Sequence, residues 1–155
     1  MAEAMILDLR DVLDIFIATL GGAAVGLERE WSGHASGPAA RFAGIRTFTL
    51  LGLEAGVAGW MWSNGLEILS AIFLAGSVAL IVAAYAAASR VEVEGTTEVA
   101  AFVVLAAGMV AGMHELRLAC AMIALPLYSL SKNRDCTTSS IASTTRVSVQ
   151  GFVLQ

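Results

Sequence analysis

Long apolar stretches alternate along this chain with short polar ones. The apolar runs cover roughly residues 9–27, 47–63, 67–89 and 97–113, each close to the about 20 residues that carry a helix through a hydrocarbon core. A fifth run, 116–130, is shorter and contains Pro126, so a crossing there has to be nearly upright with its ends snorkelled. The pattern predicts an all-α fold: a polytopic transmembrane helix bundle with four to five membrane-spanning helices, formed by residues 1–128. Residues 129–155, rich in Ser and Thr without helical periodicity, read as a disordered tail or the remnant of a truncation.

Three of the runs carry Gly-x-x-x-Gly, pairing Gly22 with Gly26, Gly52 with Gly56 and Gly108 with Gly112. That spacing strips one helix face of side chains and lets two backbones approach in lipid, where close packing rather than hydrophobicity drives association. Single pairs also arise simply because Gly is common in membrane helices. Three pairs and abundant Ala favour a tight bundle and, by the cheapest symmetry, a homodimer.

Composition agrees with a lipid environment. The 155 residues are 57% apolar before their fifteen Gly are added, and 14% charged; soluble domains reach roughly 45–50% apolar with Gly included. Orientation follows from Lys and Arg. With the N-terminus outside, the inner loops receive Arg29, Arg41, Arg46, Arg90, Lys132, Arg134 and Arg146, whereas Arg10 and Arg117 stay outside, the bias expected of the cytoplasmic side. Trp60 and Trp62 then mark the outer edge, and Trp31, Tyr85 and Tyr128 the inner one.

Acids inside apolar runs are where function is sought, because a buried charge in lipid is expensive unless paired or hydrated. Glu54 lies between Gly52 and Gly56, and has two readings: an acid bonded to a neighbouring helix, or a cation or proton relay. Glu98 follows Thr96 and Thr97, which are placed to cap a helix, so it also suits the helix dipole. Asp11 and Asp14 share a face at the outer interface, where solvation accounts for them. Glu28, Arg29, Glu30 and Arg46 mark the inner boundary, either as a mutually paired set or as part of a hard-oxygen site. In the second case Glu28, Glu54 and Glu98 converge on hydrated Mg2+, which needs only one or two carboxylates and keeps several waters. His34 and His114 read as solvated, and Cys120 and Cys136 as bystanders without metal-ligand spacing.

Several classes fall away. A net charge of −4 with no basic stripe argues against nucleic acid. No nucleophile elbow, Walker loop, His-Glu-x-x-His or dinucleotide fingerprint is present, so an enzyme is not expected.

Gly26-Leu27-Glu28-Arg29-Glu30 closing the first run, Gly44-Ile45-Arg46-Thr47 opening the second, and Glu94-Gly95-Thr96-Thr97-Glu98-Val99-Ala100 before the fourth resemble signatures of the MgtC/SapB family membrane domain, over roughly residues 10–125. The resemblance implies a multi-pass protein of the bacterial inner membrane, N-terminus outside, linked to Mg2+ homeostasis and stress response. Its matched positions are Glu28, Arg29, Glu30, Arg46, Thr47, Thr97 and Glu98; Glu54 is inferred from placement alone. Two roles stay open: a pathway or sensor for Mg2+ or protons, and a non-transporting regulator docked on another membrane complex such as the F-type ATP synthase. Better-known members carry a soluble C-terminal regulatory domain where this sequence has its Ser/Thr-rich segment.

Overall fold

A computed structural model describes residues 8–31, 44–88, 96–125 and 127–128. Among them all regular structure is helical, with no strand. The helices are α1 (Leu9–Trp31), α2 (Ile45–Ser63), α3 (Glu67–Ala88), α4 (Thr96–Gly112) and α5 (Leu116–Leu125). They follow the apolar runs closely, except that α1 continues through Glu28-Arg29-Glu30, so the charged cluster forms its last turn. The loop with His34 and Arg41, the segment with Arg90 and Glu94, Pro126, and the Ser/Thr-rich region with Lys132, Arg134, Cys136 and Arg146 lie outside the described residues. The chain divides into two compact units, 1–123 and 124–155. The first holds α1 to α4 and most of α5.

Glycine sets how the first unit packs. α1, α2 and α4 pack on one another, α2 also carries α3, and α3 and α4 meet only lightly. A methyl placed on Gly26 would stand 2.7 Å from Ile45 Cα, and one on Gly56 would stand 2.9 Å from Ala18 Cβ. Higher numbers on α1 thus meet lower numbers on α2, and the two helices run antiparallel. Where α4 meets α2, a methyl on Gly108 would stand 2.7 Å from Ala55 Cβ, and one on Gly112 would stand 2.8 Å from Trp60 N. Here the numbers rise together, so α2 and α4 are parallel. All three Gly-x-x-x-Gly pairs are therefore spent on contacts within one chain.

The size gradient is the reverse of a water-soluble bundle. Ala18, Ala55, Ala58, Ala101, Ala107 and Ala111 are buried with the glycines around a few large side chains, among them Phe48, Leu51, Trp60 and Ile81, whereas Leu13, Phe16, Leu50, Ile72, Leu80 and Phe102 are exposed. Small residues inside and large aliphatic ones outside suit a bundle whose surroundings are apolar. Thr19, Thr49 and Ser63 each return their hydroxyl to the carbonyl four residues back, which satisfies the donor without water. Among the described residues one helix, Glu67–Ala87 of α3 with a mean hydropathy of 2.3, is by length and composition apolar and long enough to cross a membrane. Charges dilute α1, glycines dilute α2, and α4 and α5 are shorter.

Two turns close with the same cap. After α2, Gly65 takes φ +78° while its N–H bonds Trp62 O and the Leu66 N–H bonds Met61 O at 2.9 Å. After α4, His114 takes φ 66° while its N–H bonds Ala111 O and the Glu115 N–H bonds Val110 O. Both are the left-handed helix stop that favours Gly. A histidine in that position accepts a backbone conformation that Gly would adopt more cheaply.

Candidate functional site

α1 presents Asp14, Ala18, Gly22, Val25, Gly26 and Arg29 inward, one stripe at three- and four-residue spacing. The stripe therefore carries a charge at each end. Arg29, 3% exposed, donates from Nη2 to the Thr96 carbonyl at 2.9 Å and from Nη1 to Thr96 Oγ1 at 3.3 Å. Its Nε stands 3.8 Å from Oε2 of Glu28. The guanidinium fork thus joins the last turn of α1 to the first turn of α4, a geometry an ammonium could not reproduce. Thr96 and Thr97 were expected to cap α4; they instead lie inside its first turn, and the Thr96 hydroxyl accepts from Arg29. Glu30 and Arg46 are exposed at this end, and Thr47 and Thr97 half-buried.

Glu98 sits in the first turn of α4 and is 8% exposed, and its Oε2 has no hydrogen-bond partner. It lines a groove of about 280 Å³ with Ile81, Val82 and Tyr85 of α3 and Val99 and Phe102 of α4.

Glu54 is elsewhere. Its Oε2 accepts a hydrogen bond from Ser77 Oγ at 2.5 Å, and Ser70 Oγ donates to Ala58 O at 2.7 Å. These two hydroxyls stitch α3 onto α2, along with buried Ile81. Ile45 packs beside Gly26 at the Glu28 end, and nine residues of helix at 1.5 Å each put Glu54 about 13 Å further along the axis. Among the described residues no three His, Cys, Asp or Glu side chains are grouped to hold a metal ion. The structure does not gather Glu28, Glu54 and Glu98 into the three-carboxylate Mg2+ centre expected from sequence. Glu54 is found hydrogen-bonded to a neighbouring helix: it lies on the face of α2 turned to α3, away from the glycine contacts, and Ser77 supplies its donor.

The opposite end holds a pair that sequence reasoning assigned to solvent. Asp14 is 1% exposed, and its Oδ2 lies 2.6 Å from His114 Nδ1. His114 Nε2 lies 3.7 Å from Asp11 Oδ1, and Asp14 Oδ1 has no partner. The expectation of a solvated Asp14 is overturned, and His114, still partly exposed, is turned onto it from the left-handed turn. The signal was an acid on the glycine stripe of α1. At the same depth on α2, the buried Trp60 keeps an unbonded Nε1.

With these clusters placed, the family comparison is decisive: the family model of the MgtC family matches residues 15–138. The chain belongs to the MgtC family. It is accordingly a membrane protein linked to Mg2+ homeostasis, and the Glu28–Arg29 turn, Glu54, Glu98 and His114 all fall inside the MgtC match, whereas Asp14 stands one residue before it. No curated protein and no solved structure matches significantly.

Proposed function

We propose that this MgtC-family chain is a multi-pass protein of the bacterial inner membrane, N-terminus outside, and that it responds to cations at its inner end without conducting them. The observation that carries the reading is the junction in which buried Arg29 lies between Glu28 and the exposed Thr96. Glu28 Oε2 is buried and accepts no hydrogen bond, and its electrostatic neighbour Arg29 ties α1 to α4. Hydrated Mg2+ needs few carboxylates and retains its waters, so an ion drawn to Glu28 competes with the guanidinium and shifts the balance between α1 and α4. Arg46 and Glu30, exposed at the same end, set the local field. The separation of Glu54 from this end supports a sensor over a continuous pathway. We assign no enzymatic reaction, no nucleic-acid partner and no resident cofactor beyond this reversible Mg2+.

The test pairs two measurements on protein in lipid nanodiscs and liposomes. A Mg2+ titration of Trp31 fluorescence, two residues from Arg29, shows a saturable change that Glu28→Gln abolishes, and liposomes show no Mg2+ or proton flux. Flux that depends on Glu54 would instead establish the pathway, and a Glu28-independent titration would remove the sensor.

A second reading, a regulator docked on another membrane complex such as the F-type ATP synthase, gains support from α3. Its exposed face, including Ile68, Ile72 and Leu80, is open to a second copy or a partner, whereas the glycine faces are occupied. Crosslinking from Ile72 separates lipid, dimer and hetero-partner.

A further inference from the structure

We infer that the groove between α3 and α4 is a binding site for an aminophospholipid, with Glu98 receiving the ammonium headgroup. Four features carry this. The groove, about 280 Å³, is just under the roughly 300 Å³ of the smallest ligand pockets, room for a headgroup and the first part of a chain, and it arises because α3 and α4 meet only lightly although both pack on α2. Its walls are almost wholly apolar, and the two side chains with polar atoms, Glu98 and Tyr85, stand at one end. Glu98 lies at the start of α4 and Tyr85 toward the end of α3, while Phe102, Ile81 and Val82 lie about one turn further into the bundle. A lipid with its head at the membrane edge and its chain pointing inward has the same polarity gradient.

The third feature is Glu98 itself. More than nine-tenths of the residue is buried, and Oε2 has no donor. An acceptor removed from water and left unbonded is costly, and an ammonium supplies up to three donors to it. A choline headgroup has no N–H to give, and a serine headgroup brings a second carboxylate against Glu98. Ethanolamine is the headgroup that fits. Finally, Val99 and Phe102 are exposed at 63% and 40%, so a chain entering from the bilayer reaches the groove without unpacking α2. Nothing in this depends on Glu28 or on Mg2+.

The experiment reads occupancy directly. Phe102→Trp places a reporter in the groove, and the protein is reconstituted in vesicles of phosphatidylglycerol mixed with either brominated phosphatidylethanolamine or brominated phosphatidylcholine. Quenching several-fold greater by the ethanolamine lipid supports the site, and equal quenching overturns it. Adding Glu98→Gln to the reporter abolishes the headgroup preference while leaving residual quenching. Val99→Trp, assayed by native mass spectrometry, fills the groove and removes the retained lipid whatever its head. A preference that survives Glu98→Gln, or a polypeptide retained in place of lipid, sinks the proposal. Should Glu98→Gln fail to fold, the reporter in the native-acid background still decides between the two headgroups. The Trp31 titration with Mg2+ is a separate readout, so either proposal can fail alone.

Discussion

His114 Nδ1 stands 2.6 Å from Asp14 Oδ2, joining the start of α1 to the turn after α4 across 100 residues of chain. The ring comes from a left-handed backbone position, φ 66°, and the acid from a site almost without solvent. The contact therefore has two separable energies, one in the backbone and one in the side chains. His114→Ala leaves Asp14 buried without its partner and should lose about 1–3 kcal/mol of stability. His114→Gly loses the same contact but relaxes the turn, so it should sit roughly 1 kcal/mol above the alanine variant. Reversible unfolding in detergent reads both. Equal stabilities for the two variants would show that the left-handed position carries no strain.

Arg29 tests the junction at the other end. Arg29→Lys keeps the charge but not the fork, and should retain at most one of the two bonds to Thr96. Thr96→Val removes only the longer, 3.3 Å bond and should cost less than about 1 kcal/mol. Protease access at the ends of α1 and α4 ranks the variants: native, Thr96→Val, Arg29→Lys, Arg29→Ala. A Thr96→Val variant as open as Arg29→Ala would place the tie elsewhere.

The glycines divide into two kinds. Gly112→Ala pushes a methyl against Gly56 O and Trp60 N, both backbone atoms, so α2 and α4 have to separate. Gly76→Ala meets nothing within 4 Å and should be neutral or gain up to about 1 kcal/mol from better helix propensity. Thermal unfolding of the pair distinguishes close packing from a general dislike of substitution.

For the α2–α3 hairpin the acid is the more tolerant partner. Glu54→Gln keeps an acceptor for Ser77 Oγ and should fold normally, whereas Ser77→Ala strands the Glu54 carboxylate and should cost about 1–3 kcal/mol. Hydrogen exchange along α3 detects the difference. Greater opening in Glu54→Gln than in Ser77→Ala would contradict it.

Helix positions were legible because apolar runs of near-membrane length leave little alternative, and Gly-x-x-x-Gly identified the packing faces. Which helices those faces join was not legible: spacing alone says that Gly52 and Gly56 allow close approach, not that α1 and α4 both gather on them. Glu28 and Arg29 stand out as charges beside an apolar run, but their tie to Thr96 depends on how α4 is threaded. The Asp14–His114 pair was missed for a different reason. A histidine in a turn between two apolar runs looks like a solvated one, and only the sign of its φ turns the ring inward. Ser77 was overlooked because a lone hydroxyl barely dents the hydropathy of α3, although Ser70 and Ser77 share one face of that helix.

Because the interior of the first unit is lined by methyls and bare backbone, its architecture has almost no spare volume to donate. Most of the bulky residues look outward, where the neighbours are fluid, and Phe48, Leu51, Trp60 and Ile81 are among the large side chains held inside. A saturation-mutagenesis map of this chain should thus be inverted relative to a globular enzyme: leucines and phenylalanines interchange freely, and alanine becomes the residue that evolution can least enlarge.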